Sequence, residues 1–401
     1  MPNNVELNYK RLSGEGYTPD KVFKPKEYGW QGDWEGRALL AFCCHYEMHG
    51  KKPDCLKSFM ENLKSHLNEK SYLGEIYDDG IVDEQQLSGH SWLIRGLVKY
   101  YELFKDEFAF NVAKNIVENL YLKNEKKFYE YPIDRKKDGG GVSGEILCEQ
   151  SGWKLSSDVG CAFISVDGLA HYYALTGDER VKNLLDVMIK LFIKTDVVKQ
   201  SFQTHATLSF LRGTLLLYQK TNADFYLEIV KKTFDTYLQY GMTLTYENFN
   251  WFNRKDTWTE PCAVVDSFIL AVGLYKITSD KKYLTLTRRI WFNGLQFCLR
   301  DNGGAGPNSC VTTEQKTLKV NMYEAPFCCT MRYAEGLLTA EKNKNLLSWN
   351  KNADLTVDEY GRKFIDDKLV VKYNGTETPI FKSAELKNKD DIMSAKLLIL
   401  P

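Results

Sequence analysis

Leu169-Ala170-His171-Tyr172-Tyr173 leads to Asp178, and the same pattern of apolar run, tyrosine and helix-restarting aspartate recurs three more times in the chain. Leu97-Val98-Lys99-Tyr100-Tyr101 leads to Asp106, Leu215-Leu216-Leu217-Tyr218 to Asp224, and Val272-Gly273-Leu274-Tyr275 to Asp280. Successive aspartates stand 72, 46 and 56 residues apart. Each unit predicts a helical hairpin. The helix before the aspartate is apolar nearly all round, as over 267–277, and the one after it is amphipathic, as over 283–290. The first of each pair is expected to be buried and the second exposed. Adding 34–50 with 56–67, and a helix after Pro326, brings the number of hairpins close to six. The pattern predicts an all-α fold, an (α/α)6 six-hairpin toroid.

Outside the repeats the character changes. Leu355-Thr356-Val357, the run Lys368 to Tyr373, and the run Lys396 to Leu400 favour strands. The expected division is therefore a barrel over 1–345 and, over 346–401, a short β-rich appendage or the start of an incomplete β-sandwich. The glycine-rich segments 136–144 and 301–308 are expected to be mobile loops. Neither follows a strand, which argues against phosphate cradling.

The 401 residues are 43% hydrophobic and 26% charged, which excludes disorder and fibres. Lys+Arg and Asp+Glu both number 53, so no broad field attracts nucleic acid or an anionic membrane. Neither is an expected partner. The apolar run 263–275 is too short to span a bilayer and carries Asp266 and Ser267. Ten cysteines in a chain of this length point to reduced thiols or metal ligation. With no apolar h-region near the N-terminus, a cytoplasmic location is expected.

In a ring of consecutive hairpins the buried helices start at one mouth. Those starts read Gln85 to His90, Gly160-Cys161, Thr204-His205, Thr259-Glu260-Pro261-Cys262 and Glu324-Ala325-Pro326-Phe327-Cys328-Cys329. Pro261 and Pro326 suit a first helical turn, and each is followed by cysteine. A helix N-terminus favours thiolate, so three cysteines with Glu260 predict a low-pKa anionic cluster suited to one divalent cation. Zinc fits a Cys3Glu set best among the common metals. The alternative is packing, since free cysteine behaves as a small buried hydrophobe. Cys310 reads as a solvated loop thiol, and Cys43 and Cys44 as packing residues. His90 and His205 stand at helix starts as candidate polar contacts for a ligand, or they are core histidines. Trp251, Phe252 and Trp258 offer ring faces to a sugar or pin their loop.

These residues resemble glycoside hydrolase family 127 and its relatives, the β-L-arabinofuranosidases, over about 30–338. The marks are Gly32-Asp33-Trp34-Glu35-Gly36-Arg37, Ser88-Gly89-His90, His205, Glu260-x-Cys262 and the vicinal Cys328-Cys329. The resemblance implies Glu260, Cys262, Cys328 and Cys329 as zinc ligands, Cys328 as nucleophile and Glu247 as general acid/base. A retaining pair of this kind stands about 5 Å apart. The chain departs from the family pattern at several places, among them a shortened stretch between Glu247 and Glu260 and the lack of the β-sandwich domains into which members continue. Tyr246 precedes the glutamate where the family has glycine; Thr330, Met331 and Arg332 follow the cysteines where it has prolines and an asparagine; and no histidine stands at Gly160-Cys161.

The resemblance therefore implies a retaining hydrolase of terminal arabinofuranosyl-type, non-acidic sugars of plant-type glycans, with zinc as cofactor and carbohydrate as partner. One alternative is a zinc toroid that activates a substrate thiol, like the lanthionine cyclases, although those carry a Cys-His pair where Thr330 follows Cys329. The other is a glycan-binding barrel without chemistry.

Overall fold

The computed structural model of the chain describes residues 2–23, 29–78, 80–135, 142–312, 322–348, 355–373, 376–379 and 396–397. The repeat seen in sequence is a repeated turn. Helices Glu84–Phe104, Ser165–Thr176, Thr204–Thr221 and Pro261–Thr278 each end on a left-handed residue, Lys105, Gly177, Asn222 or Ser279. Its N–H closes on the carbonyl of Tyr101, Tyr173, Tyr218 or Tyr275, satisfying a helix-end acceptor. Asp106, Asp178 and Asp280 come next, and their carboxylates accept from the N–H of Ala109, Arg180 and Lys282 at 2.8–3.0 Å. These caps start the second helices, Glu107–Ile116, Glu179–Phe192 and Lys281–Arg289. The third repeat differs. Ala223 intervenes after Asn222, so Asp224 is the first residue of the helix Asp224–Tyr240 and not its cap.

Burial follows the expected alternation. Pro261–Thr278 is the one helix among the described residues long and apolar enough to cross a membrane, and 67% of it is buried. Its hairpin partner Lys281–Arg289 buries only Tyr283 and Thr287.

Two compact units divide the chain. One comprises Tyr9–Tyr240 with Trp251–Asn253. It holds four hairpins: Asp33–His49 with Leu56–His66, Glu84–Phe104 with Glu107–Ile116, Ser165–Thr176 with Glu179–Phe192, and Thr204–Thr221 with Asp224–Tyr240. Its first helices approach closely through glycine. A Cβ on Gly168 would lie 2.5 Å from the Ser91 carbonyl oxygen, and one on Gly213 2.5 Å from that of Val166. A small sheet sets Trp153–Ser156 parallel to Val82–Asp83 and antiparallel to Ile146–Gln150. Asp83 then caps Glu84–Phe104.

The other unit comprises Met1–Asn8, Gly241–Asn250 and Arg254–Pro401. It contains the Pro261 and Lys281 hairpin, two π-helical turns at Ile290–Leu295 and Pro326–Thr330, and the helix Met331–Lys342. An antiparallel sheet follows, with strands Leu355–Val357, Lys363–Ile365, Lys368–Tyr373 and Thr376–Pro379 in order, and Lys396–Leu397 pairing the third. Strands thus stand where the sequence predicts them; Leu398 to Leu400 of the last expected strand and 136–141 of the first expected mobile loop lie outside the described residues.

The second expected mobile loop is instead tied down. Leu299 bridges Ala305, Ala325 N–H donates to the Ala305 carbonyl at 2.9 Å, and the Asn8 amide donates to the Gly303 and Thr330 carbonyls. Its backbone groups are buried and therefore need these partners.

Candidate functional site

The second unit brings two helix starts together. Glu260 caps Pro261–Thr278 with extended backbone, which frees its side chain from the helix face, and Pro261 takes the first helical position, where a missing N–H is harmless. Cys328 and Cys329 lie in the π-helical turn opened by Pro326, closed by the Thr330 N–H on the Ala325 carbonyl at 3.1 Å. π turns recur at functional sites, and this wider turn aims two successive thiols at one neighbour. Cys262 Sγ lies 3.0 Å from Cys328 Sγ and 3.8 Å from Cys329 Sγ, and Cys328 Sγ lies 3.9 Å from Glu260 Oε1. All ten cysteines are unbridged.

The three sulfurs lie within 4.8 Å of one another, as ligands of a single ion do. Two thiolates on a tetrahedral zinc are separated by roughly 3.8 Å. The Cys262–Cys329 distance matches that spacing, and the Cys262–Cys328 pair is closer. Three soft sulfurs and one carboxylate are a donor set that fits zinc.

The expected low thiol pKa is corrected by burial. Desolvation raises Cys262 and Cys329 well above the ordinary thiol value, and the neighbouring Cys328 raises both further. The helix N-terminal dipole is outweighed, so in the protein alone these thiols stay protonated. Only a cation in their midst makes them thiolates.

Glu247 is fully buried. Asn308 Nδ2 donates to its Oε1 at 2.6 Å, Thr245 Oγ1 donates to its Oε2 at 3.2 Å, and Cys298 Sγ lies 3.9 Å from Oε1. A ladder ties this loop to the cysteine cluster. Glu260 N–H donates to Asn248 Oδ1 at 2.8 Å; Thr259 N–H donates to the Asn308 carbonyl at 2.9 Å; Asn308 N–H returns to Thr259 Oγ1 at 2.8 Å. Arg300 holds the Asn308 Oδ1 and the carbonyls of Cys298 and Pro307. Burial lowers its pKa, against the opposing pull of Cys298, Glu247, Cys329 and Glu324.

The positions that depart from the family pattern are built into this frame. Thr330 Oγ1 accepts from Ala305 N–H at 2.8 Å and donates to Glu324 Oε1 at 3.3 Å. Arg332 is buried and pairs with Asp266 at 2.5 Å. Tyr246 holds φ +61° next to Glu247, a left-handed conformation that glycine adopts readily and tyrosine seldom.

The remaining sequence candidates sort by surroundings. Trp258 is half-buried in the same unit and bridges Ser309. In the other unit, His205 stacks on Trp92 with centroids 5.7 Å apart, and its Nε2 lies 3.3 Å from Arg37 Nη2. His90 behaves as a core histidine: Leu73 N–H donates to Nε2 at 3.0 Å and Nδ1 faces the Gln86 carbonyl at 2.8 Å. Burial lowers its pKa to about 4. Trp251 is fully buried and bridges Gln203, so it pins its loop.

Cys310 is buried, and its Sγ lies 3.7 Å from the Asn248 carbonyl, which overturns the solvated-thiol reading. Sequence reasoning missed Asn308, Thr245 and Cys298. Only the loop closure of 303–308 brings Asn308 to Glu247, and a lone Asn among glycines carries no signal of that.

No family model matches the sequence, and no curated protein matches it in sequence. Solved structures do match in fold. A family 127 β-arabinofuranosidase aligns with a TM-score of 0.55 and 12% identity over 92% of this chain and 61% of its own. A family 127 β-L-arabinofuranosidase from Geobacillus stearothermophilus T6 aligns with a TM-score of 0.52 and 13% identity over 99% and 74%. A family 76 α-mannanase from Bacteroides thetaiotaomicron aligns with 0.54 and 12% over 86% and 96%. Sugar epimerases are among the further matches. The chain thus spans less than two thirds of the first of these proteins. These likenesses show the fold, an all-α (α/α)6 toroid with a small β-rich extension, similar to that of the β-L-arabinofuranosidases.

Proposed function

We propose that the chain is a zinc-dependent retaining glycoside hydrolase acting on terminal arabinofuranosyl-type, non-acidic sugars of plant-type glycans. One observation carries the reading: three cysteines and Glu260, on two helix starts, are tied by a hydrogen-bond ladder to the loop of a buried glutamate. The fold shared with glycosidases and sugar epimerases supports a carbohydrate-active enzyme. Ten free thiols suit a reducing compartment, in keeping with the cytoplasm.

Glu260, Cys262, Cys328 and Cys329 would hold the metal. When bound, zinc supplies the positive charge that keeps these thiols deprotonated at neutral pH. Cys262 and Cys329 are buried, whereas Cys328 is half-buried, so Cys328 is the sulfur a substrate reaches. Its Sγ attacks the anomeric carbon while Glu247 gives a proton to the departing glycosidic oxygen. Glu247 then takes a proton from the water that breaks the new C–S bond. Two displacements at one carbon retain the anomeric configuration. Trp258, in the same unit as Glu247 and Cys328, is the proposed sugar contact; His90 and Trp251 serve the frame of the other unit.

Elemental analysis and an aryl β-L-arabinofuranoside test the reading. About one zinc per chain is expected, lost in a Cys328→Ser, Cys329→Ser variant. Glu247→Gln is expected to keep the metal and lose turnover by about 10²-fold or more. Freshly reduced protein without zinc would sink the thiolate mechanism, and Glu247→Gln with intact sugar release would remove Glu247 from it. A thiol-activating toroid or a glycan-binding barrel would be indifferent to Glu247→Gln. The epimerase matches favour one second reading, in which an isomerised sugar forms and no aglycone is released.

A further inference from the structure

The expected β-rich appendage reaches the loop of Glu247. Arg362 precedes the strand Lys363–Ile365, is 7% exposed, and is fixed by Asp358, whose Oδ2 accepts from its Nε at 2.7 Å. Its Nη1 donates to the Leu244 carbonyl at 2.7 Å and its Nη2 to Tyr246 Oη at 3.1 Å. The guanidinium also lies 4.7 Å from the Tyr246 ring centroid. Arg289, at the end of Lys281–Arg289, donates to the same phenol oxygen at 3.0 Å and lies 3.7 Å from the Phe364 ring centroid. Two cationic donors thus fill the acceptor positions of one buried tyrosine. Burial raises the Tyr246 pKa, and the two arginines oppose it.

The sheet is itself anchored. Asn293 in the π turn donates to the Asp367 carbonyl at 2.8 Å and accepts from Leu369 N–H at 2.7 Å, and Arg288 pairs with Asp366 and Asp367. Tyr246 occupies a backbone conformation that is strained for any residue but glycine, and such a residue persists only where its surroundings hold it.

We infer that Arg362 is a positioning residue for Glu247: through Leu244 and Tyr246 it clamps the loop that aims the carboxyl group, so the C-terminal sheet is part of the catalytic frame. The inference rests on Glu247 acting as acid/base. The tyrosine, where the resembled family has glycine, adds a side-chain hold to the backbone hold at Leu244.

The test is Arg362→Ala in the full chain, by hydrogen exchange and by kinetics with two substrates, an alkyl glycoside and a nitrophenyl glycoside. Exchange over 243–250 is expected to rise while zinc content stays the same. Turnover of the alkyl glycoside is expected to fall by about 10²-fold with KM little changed, and the alkaline limb of its pH profile, where the proton donor ionises, to move. The nitrophenyl glycoside needs little protonation in the first displacement, so its kcat/KM, which reports that step, should be nearly unaffected. Equal losses on both substrates with an unmoved pH profile would reduce Arg362 to a structural role. Unchanged exchange over 243–250 would overturn the clamp outright, and that readout holds even if Glu247→Gln shows that the glutamate has no part in turnover.

Discussion

Two glutamates among the described residues are fully buried, and their surroundings differ in kind. Glu84, in the four-hairpin unit, accepts from Arg135, from the Tyr131 hydroxyl at 2.5 Å and from Ser156 N–H at 2.7 Å. Glu247, in the other unit, takes its hydrogen bonds from an amide, a hydroxyl and a thiol. One carboxylate is thus held by an ion pair with a guanidinium, and the other accepts from an amide, a hydroxyl and a thiol in a loop. The first arrangement locks a strand to a helix start; the second ties the Glu247 loop to Asn308 and Cys298. Burial alone therefore does not separate a structural carboxylate from one proposed to do chemistry, and the two differ in what holds them.

The comparison is broken most directly by exchanging the outcomes of one substitution. Glu247→Gln is expected to lower turnover by about 10²-fold or more with little change in melting temperature. Glu84→Gln leaves Arg135 buried without its counter-charge and is expected to destabilise the fold by about 3–5 kcal/mol, read by denaturant unfolding. A stable Glu84→Gln, or an unstable Glu247→Gln, would erase the distinction.

Acid sharpens it next. Burial holds His90 at about 4 and His45 at about 3, so both are neutral in the folded protein when the unfolded chain begins to protonate near pH 6.5. Their contribution is present above that value and is lost as pH falls toward 4, by about 3 kcal/mol for each. Unfolding measured between pH 7 and 4 should show this loss, with a shallower dependence in His90→Gln. The smallest effect separates the hairpin turns: Asp280→Ala removes a cap and is expected to cost about 1 kcal/mol, while Asp224→Ala removes only a favourable first-turn charge, about 0.3 kcal/mol. Thermal melting of the two variants gives the order.

Much of the fold was legible because its signals are local. The tyrosine of each repeat lies where a left-handed residue closes the helix end, and the aspartate lies where the next helix needs a cap; both recur whenever the turn recurs. Ala223 shows how small a change escapes the pattern, since one inserted residue turns a cap into a first-turn charge. The cysteine pairing across 66 residues was legible only through its setting, proline followed by cysteine at two helix starts. Its expected low pKa was not, because desolvation depends on what packs around the sulfurs and outweighs the helix dipole.

The sequence by itself determined the hairpin periodicity, the buried face of each helix and the residue types fit to hold a soft metal, all set by interactions within a few positions along the chain. Only the tertiary structure decided that Asn308 holds Glu247, that His90 is taken up by backbone groups and that Arg362, 116 residues away, grips Tyr246. Each of these joins segments far apart in the chain, and such contacts are set by the closing of loops and the burial of their polar groups, which no local pattern records.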